Sequence, residues 1–207
     1  MSDNQHGILF DLDGTLVDSV YQHVRIWHDV LREHGYHVAH HQVHKGIGLP
    51  SSRLLRWLIG HGVDDEQALI EHHDKLFLEE ASTLTPTDGA LELLTDLDQR
   101  KVPYFAVTSA GDTTREALFE ALGRELPVAP KAGSKPHADP LLRAAEALRL
   151  EPAQLTMIGD AAWDAEAAKR SGVQFVGVRC GGAADAQLLQ AGALWVEDSP
   201  RALIGRL

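Results

Sequence analysis

The sequence predicts an α/β protein: a Rossmann-like, doubly wound parallel sheet with a helical cap inserted after the first strand. Three observations point there. A short apolar run at 8–10 stops abruptly at a carboxylate, the stretch 16–85 shows helical periodicity without a convincing strand, and from Pro86 onward strand and helix patterns alternate. Strands alternating with helices build a parallel sheet through right-handed crossovers. The expected division is an α/β core of residues 1–15 plus 86–207 and a helical cap of residues 16–85.

Ile8, Leu9 and Phe10 read as a buried strand, and Gly14 lets the backbone turn sharply beyond it. Residues i and i+2 of a strand point the same way, so Asp11 and Asp13 are expected to face one site at its carboxyl end. Val20, Val24, Trp27 and Leu31 then recur at helical spacing, with Asp18 or Ser19 as cap and Gly35 as stop. Further helices are expected over 54–61 and 65–82, and after Pro86 over a stripe of Leu91, Leu94 and Leu97. The remainder reads as strands at 103–108, 127–129, 155–159, 175–178 and 194–196. Helices at 113–122, 138–148, 161–171 and 184–190 alternate with them, followed by a terminal helix. No internal repeat or low-complexity tract interrupts the pattern.

A chain of 207 residues fits one domain with an insertion or two small domains, and 44% hydrophobic with 24% charged residues is ordinary for a globular protein. The formal charge of −11 argues against a nucleic-acid or anionic membrane surface. Cys180 is the single cysteine, which excludes an intrachain disulfide and suits a reducing compartment. Residues 2–6 are polar without a signal-peptide core, and no apolar run approaches a membrane span. A cytoplasmic protein, monomeric or weakly dimeric, is expected.

Two carboxylates as close as Asp11 and Asp13 need a cation between them, or one must hold a proton. The pair therefore asks for a divalent metal and offers one nucleophile and one general acid/base. Three later stretches sit where an α/β sheet places ligands, at strand carboxyl ends and helix amino ends. Val107-Thr108-Ser109-Ala110-Gly111 offers hydroxyls and free N–H groups suited to an anion, or simply a helix cap. Gly133-Ser134-Lys135-Pro136 offers a fixed positive charge. Ile158-Gly159-Asp160-Ala161-Ala162-Trp163-Asp164 ends a buried strand in one acid and starts a helix with another, so Asp160 can join Asp11 around one cation.

The order D-x-D-G-T, hydroxyl, lysine, G-D-x-x-x-D resembles the haloacid dehalogenase-like (HAD) hydrolase superfamily, and the helical insertion resembles the phosphoglycolate phosphatase and β-phosphoglucomutase branch. The resemblance implies an Mg²⁺-dependent phosphatase of small phosphorylated metabolites that works through an aspartyl-phosphate. It assigns Asp11 as nucleophile, Asp13 as acid/base and Lys135 as the cation neutralising nucleophile and phosphate. Thr108 matches the phosphate-binding hydroxyl, with Ser109 one step out of that register and able to contribute its N–H. Asp160 matches the acidic magnesium ligand, alongside the Asp11 carboxylate and the Asp13 carbonyl, and Asp164 the supporting acid that orients Lys135 or a metal-bound water.

Within the superfamily, Asp13 favours phosphate chemistry over dehalogenation. A phosphonatase would need a cap lysine near Ser51; Lys45 lies before the glycines instead. A sugar-phosphate mutase would need a cap arginine near Leu49, and Arg53 lies one turn further on. The loop from Gly46 to Arg53 is expected to touch substrate through Gly48 and Arg53. Gly46-x-Gly48 is too short for a nucleotide fingerprint, and the histidines, His40 and His44 included, lack the H-E-x-x-H spacing of a zinc site. Trp163 and Cys180 read as structural. A non-enzymatic binding protein on the same fold would be expected to have lost Asp11, Asp13 or Lys135, and all three are present.

Overall fold

The computed structural model describes residues 6–60, 63 and 65–207. The polar stretch at 2–5 and the expected helix end at His61 lie outside the described residues.

Among the described residues, five strands form one parallel sheet: β1 (Gly7–Phe10), β2 (Tyr104–Ala106), β3 (Leu155–Gly159), β4 (Gln174–Val178) and β5 (Val196–Glu197), in the order β2-β1-β3-β4-β5. β1 is central, with Leu9 opposite Phe105 on one side and Met157 on the other. All four of its residues are buried. Its side chains alternate between two apolar layers, Ile8 and Phe10 in one and Leu9 in the other. Burial on both faces explains why this strand reads as a continuous apolar run.

Among the described residues, five α-helices lie between β1 and β2: α1 (Val20–Glu33), α2 (His40–Gly46), α3 (Ser51–Ile59), α4 (Glu66–Glu80) and α5 (Ala90–Arg100). The first four pack on one another, α1 against both α2 and α4. Helices α6 (Asp112–Leu122), α7 (Asp139–Leu148), α8 (Ala162–Ser171) and α9 (Asp185–Ala191) alternate with the later strands. Val24, Trp27 and Leu31 line the buried face of α1, as their spacing predicts. No described helix is long and apolar enough to cross a membrane.

The chain enters and leaves the α1–α4 segment through one clasp. Asp18 N–H donates to the Thr85 carbonyl at 2.9 Å, and Thr87 N–H to the Leu16 carbonyl at 3.0 Å. Val17 and Pro86 bridge antiparallel between them. The Thr87 hydroxyl also donates to the Thr15 carbonyl at 2.6 Å.

Several elements differ from expectation. Helix α2 carries no apolar stripe to read, since only Val43 and Gly46 are buried. The segment 127–129 makes a single bridge, Val128 to Ala106, because the flanking Pro127 and Pro130 have no N–H for a ladder. The last strand starts two residues later than predicted and ends one later, and the terminal helix is only the 3₁₀ turn Pro200–Leu203.

Candidate active site

Asp11 and Asp160 follow adjacent parallel strands, β1 and β3, so register alone sets them side by side; Asp11 N–H still donates to the Ile158 carbonyl at 3.0 Å. Asp164 stands in the first turn of α8, where its Oδ2 accepts the Ala161 N–H at 3.2 Å. Carboxylate oxygens of Asp11, Asp160 and Asp164 all lie within 4.8 Å of one another, and all three residues are buried. Lys135 is buried among them, its ammonium donating to Asp11 Oδ1 at 2.5 Å and Asp164 Oδ1 at 2.7 Å. Thr15 Oγ1 donates to Asp160 Oδ1 at 3.1 Å.

Two glycines make room for Asp160. Gly14, at φ +75°, has that carboxylate 2.5 Å from where a Cβ would stand, and at Gly181 the distance is 1.6 Å. A side chain at either place would displace the acid.

Three acids and one lysine leave the cluster short of positive charge. Burial, then Asp164 and Asp13, push Asp11 up to about 7 against the pull of Lys135. Burial and the charges of Asp11 and Asp164 raise Asp160 well above the carboxylate range. Burial alone would lower Lys135, but the two carboxylates on it outweigh that and raise it. A buried, oxygen-only, over-acidic cluster fits a hard divalent cation such as Mg²⁺.

Asp13 lines the same cleft as Asp11, as the sequence leads one to expect, but its immediate partners differ. Its Oδ1 accepts the Ser19 hydroxyl at 2.6 Å and meets His23 Nε2 at 3.1 Å. Burial would raise Asp13, but His23 and the hydroxyl of Ser19 outweigh it and hold the carboxyl below its ordinary range. His23 Nδ1 in turn meets His73 Nε2 at 3.0 Å, and His73 Nδ1 meets Asp74 Oδ1 at 2.9 Å.

A cleft of about 80 Å³ opens above these groups, lined by Asp11, Asp13 and Lys135 from below and by His23, Trp27, Gly48, Ser51, His73 and Asp74 from the helical segment. Ser109 lines it too, its hydroxyl donating to the Gly48 carbonyl at 3.3 Å. Thr108 instead borders the neighbouring cavity, and its Oγ1 accepts the Ala110 N–H at 3.0 Å. Arg53 is not among the lining residues; its guanidinium meets His137 across the gap between helical segment and core. Trp163 packs edge-on against Trp57 and donates to the Lys45 carbonyl at 3.1 Å. The Cys180 thiol is pushed up to about 12 by burial, the mark of an inert cysteine.

Sequence reasoning missed Ser19, His23, His73 and Asp74 as site residues. Ser19 reads as a helix cap, yet it makes no capping bond. The histidines belong to buried helix faces and meet across fifty positions, a proximity no local pattern reports.

A parallel sheet carrying a buried acid–lysine cluster at its carboxyl ends defines a hydrolase of the phosphoryl-transfer type. The haloacid dehalogenase-like hydrolase family matches residues 8–178, and the chain belongs to it. It is 32% identical to validoxylamine A 7'-phosphate phosphatase of Streptomyces hygroscopicus subsp. limoneus over 82% of this chain and 84% of that one. It is 29% identical to the phosphoglycolate phosphatase of Salmonella typhimurium, over 86% and 82% respectively. A crystallised hydrolase from Pseudomonas syringae superimposes with a TM-score of 0.92 at 33% identity, covering 98% of this chain and 97% of that one.

Proposed function

We propose that the protein is an Mg²⁺-dependent phosphatase of small phosphorylated metabolites, acting through an aspartyl-phosphate on Asp11, with residues 16–85 as a cap over the cleft. The observation that carries this reading is the contrast between Asp11, inside the acid–lysine cluster, and Asp13, tied to hydroxyl and imidazole partners outside it. Asp11 attacks phosphorus, and Asp13 protonates the departing ester oxygen and then takes a proton from the hydrolytic water. Lys135 balances charge on nucleophile and phosphoryl oxygens, while Ser109 and the N–H groups around it hold the transferring group.

Asp164 is engaged by Lys135 and by the Ala161 N–H, so it serves as support. Asp11, Asp160 and the Asp13 carbonyl are the donors assigned to Mg²⁺, which when bound neutralises the cluster and the phosphate's charge. Ser51 stands in the cleft where a phosphonatase would place lysine, and among the described residues no arginine lines the cleft as a mutase would require. The relatives' phosphatase names support a small phosphate monoester as substrate.

The test is a panel of phosphate monoesters with Mg²⁺ and with EDTA. Turnover that needs Mg²⁺ and is lost on chelation is expected; undiminished turnover in EDTA, or none of any ester with Mg²⁺, would refute the proposal.

A further inference from the structure

The walls of the cleft are poor in positive charge. Among the described residues Lys135 is the one lysine or arginine lining it, and its ammonium is engaged by Asp11 and Asp164. His23 and His73 present no free ring nitrogen, since His23 meets Asp13 and His73 while His73 meets His23 and Asp74. The Ser109 hydroxyl is turned to the Gly48 carbonyl. Against these stands Asp74 on α4, a carboxylate in the cleft wall with its side chain 42% exposed. Its neighbour His73 is deeply buried, which disfavours an imidazolium that would cancel the charge.

Asp74 Oδ1 accepts from His73 Nδ1 at 2.9 Å, whereas its Oδ2 has no partner among the described residues. The Ser51 hydroxyl, at the start of α3, also lines the cleft and is likewise unbonded among them. The start of α3 offers an anion only a partial positive charge, against the full negative charge of Asp74. The rest of this wall is apolar: Trp27, Ile47, Leu49 and Leu54. A leaving group bearing a carboxylate or a second phosphate would meet like charge at Asp74 with no free cation to offset it, and such juxtaposition excludes wrong partners. A plain alkyl group would cover Asp74 and Ser51 without replacing the hydrogen bonds they make to water. A hydroxylated one serves both, its O–H donating to Asp74 Oδ2 and its oxygen accepting from Ser51.

We propose that the cleft selects phosphate esters of neutral, polyhydroxylated alcohols and rejects those whose leaving group carries a second negative charge, with Asp74 as the specificity-determining residue. This deepens the phosphatase reading and rests on it. Asp74 acts on the part of the substrate that does not react, so its removal should change the ranking of esters without changing the requirement for Mg²⁺.

The experiment measures kcat/KM with Mg²⁺ on two matched pairs, glycerol phosphate against phosphoglycerate and sorbitol phosphate against phosphogluconate. In each pair the phosphate sits on one terminal carbon, and only the other end changes, from hydroxymethyl to carboxylate. Wild-type protein should favour the polyol of a pair by about tenfold, between the bulk-water and near-surface limits for two unit charges about 4 Å apart. Propyl phosphate, without hydroxyls, should be about fivefold poorer than glycerol phosphate, the scale of one net hydrogen bond. Asp74→Asn keeps the shape of the side chain and should bring the polyol-to-acid ratio down about fivefold. A general loss of activity would lower both members of a pair alike, so the ratio isolates charge, and the wild-type ratios stand even if the variant fails to fold. Wild-type protein that takes the acid as well as the polyol, or propyl phosphate as well as glycerol phosphate, overturns the proposal. So does an unchanged ratio in Asp74→Asn, or turnover of p-nitrophenyl phosphate with none of either pair. Protein inactive on every ester with Mg²⁺ would instead refute the phosphatase reading, and this selectivity with it.

Discussion

Asp11 and Asp13 are two positions apart in the chain and line one cleft, yet their carboxyl groups are shifted in opposite directions. Asp11 sits among buried acids with only Lys135 to balance them, and its carboxyl is pushed up to about 7. Asp13 is surrounded by groups delivered from α1 and its lead-in, Ser19 and His23, and is held below the ordinary range. The sheet concentrates negative charge at its carboxyl ends, and the helical segment supplies hydrogen-bond partners to Asp13. The separation is possible because β1 ends at Phe10, so neither acid is held to the strand's two-residue alternation.

If the two acids have distinct duties, removing each should fail differently. The largest expected effect is in Asp11→Asn, where an amide is no nucleophile; phosphoenzyme should be undetectable by acid quench, with turnover at assay background. Asp13→Asn should still bind substrate, with kcat down about 10²–10⁴-fold, the usual worth of a positioned acid/base. Equal defects in the two variants would erase the distinction.

Lys135→Met probes the cluster from its other side. It leaves Asp11 and Asp164 facing each other without a cation, and breaking a buried pair in this way costs about 3–5 kcal/mol. Urea unfolding without metal should show that loss, and added Mg²⁺ should return part of it.

A smaller effect is expected from pH. Asp11's folded-state pKa lies above its unfolded value, so between about pH 4 and 7 the folded state holds a proton that the unfolded state has released. Stability from this group therefore falls as pH rises through that window. His73, shifted down, acts oppositely over an overlapping range. The measurable quantity is thus the stability difference between wild type and Asp11→Asn in metal-free buffer, which should decline with rising pH.

Much of the site was legible because sheet register does the positioning. A carboxylate straight after an apolar run, repeated at Asp11 and Asp160, is enough to predict neighbours once the strands are parallel. Lys135 was legible only through the order of motifs, since its own loop has no distinctive local pattern. The histidine chain was hidden: His23 shares the apolar face of α1 with Val24 and Trp27, where a ring reads as packing. Helix α2 was hidden for the reverse reason, being polar almost throughout. Arg53 was assigned to substrate by its place in the loop, but side-chain direction decides, and it turns to His137.

The clasp at Val17 and Pro86 has a consequence for how such a molecule can change over time. The two ends of the α1–α4 segment lie side by side, hydrogen-bonded to each other, so whatever hangs from them imposes no strain on the spacing of β1 and β2. Insertions are tolerated best where entry and exit points are close. The segment can therefore lengthen, shrink or be exchanged as a module while the sheet keeps its register.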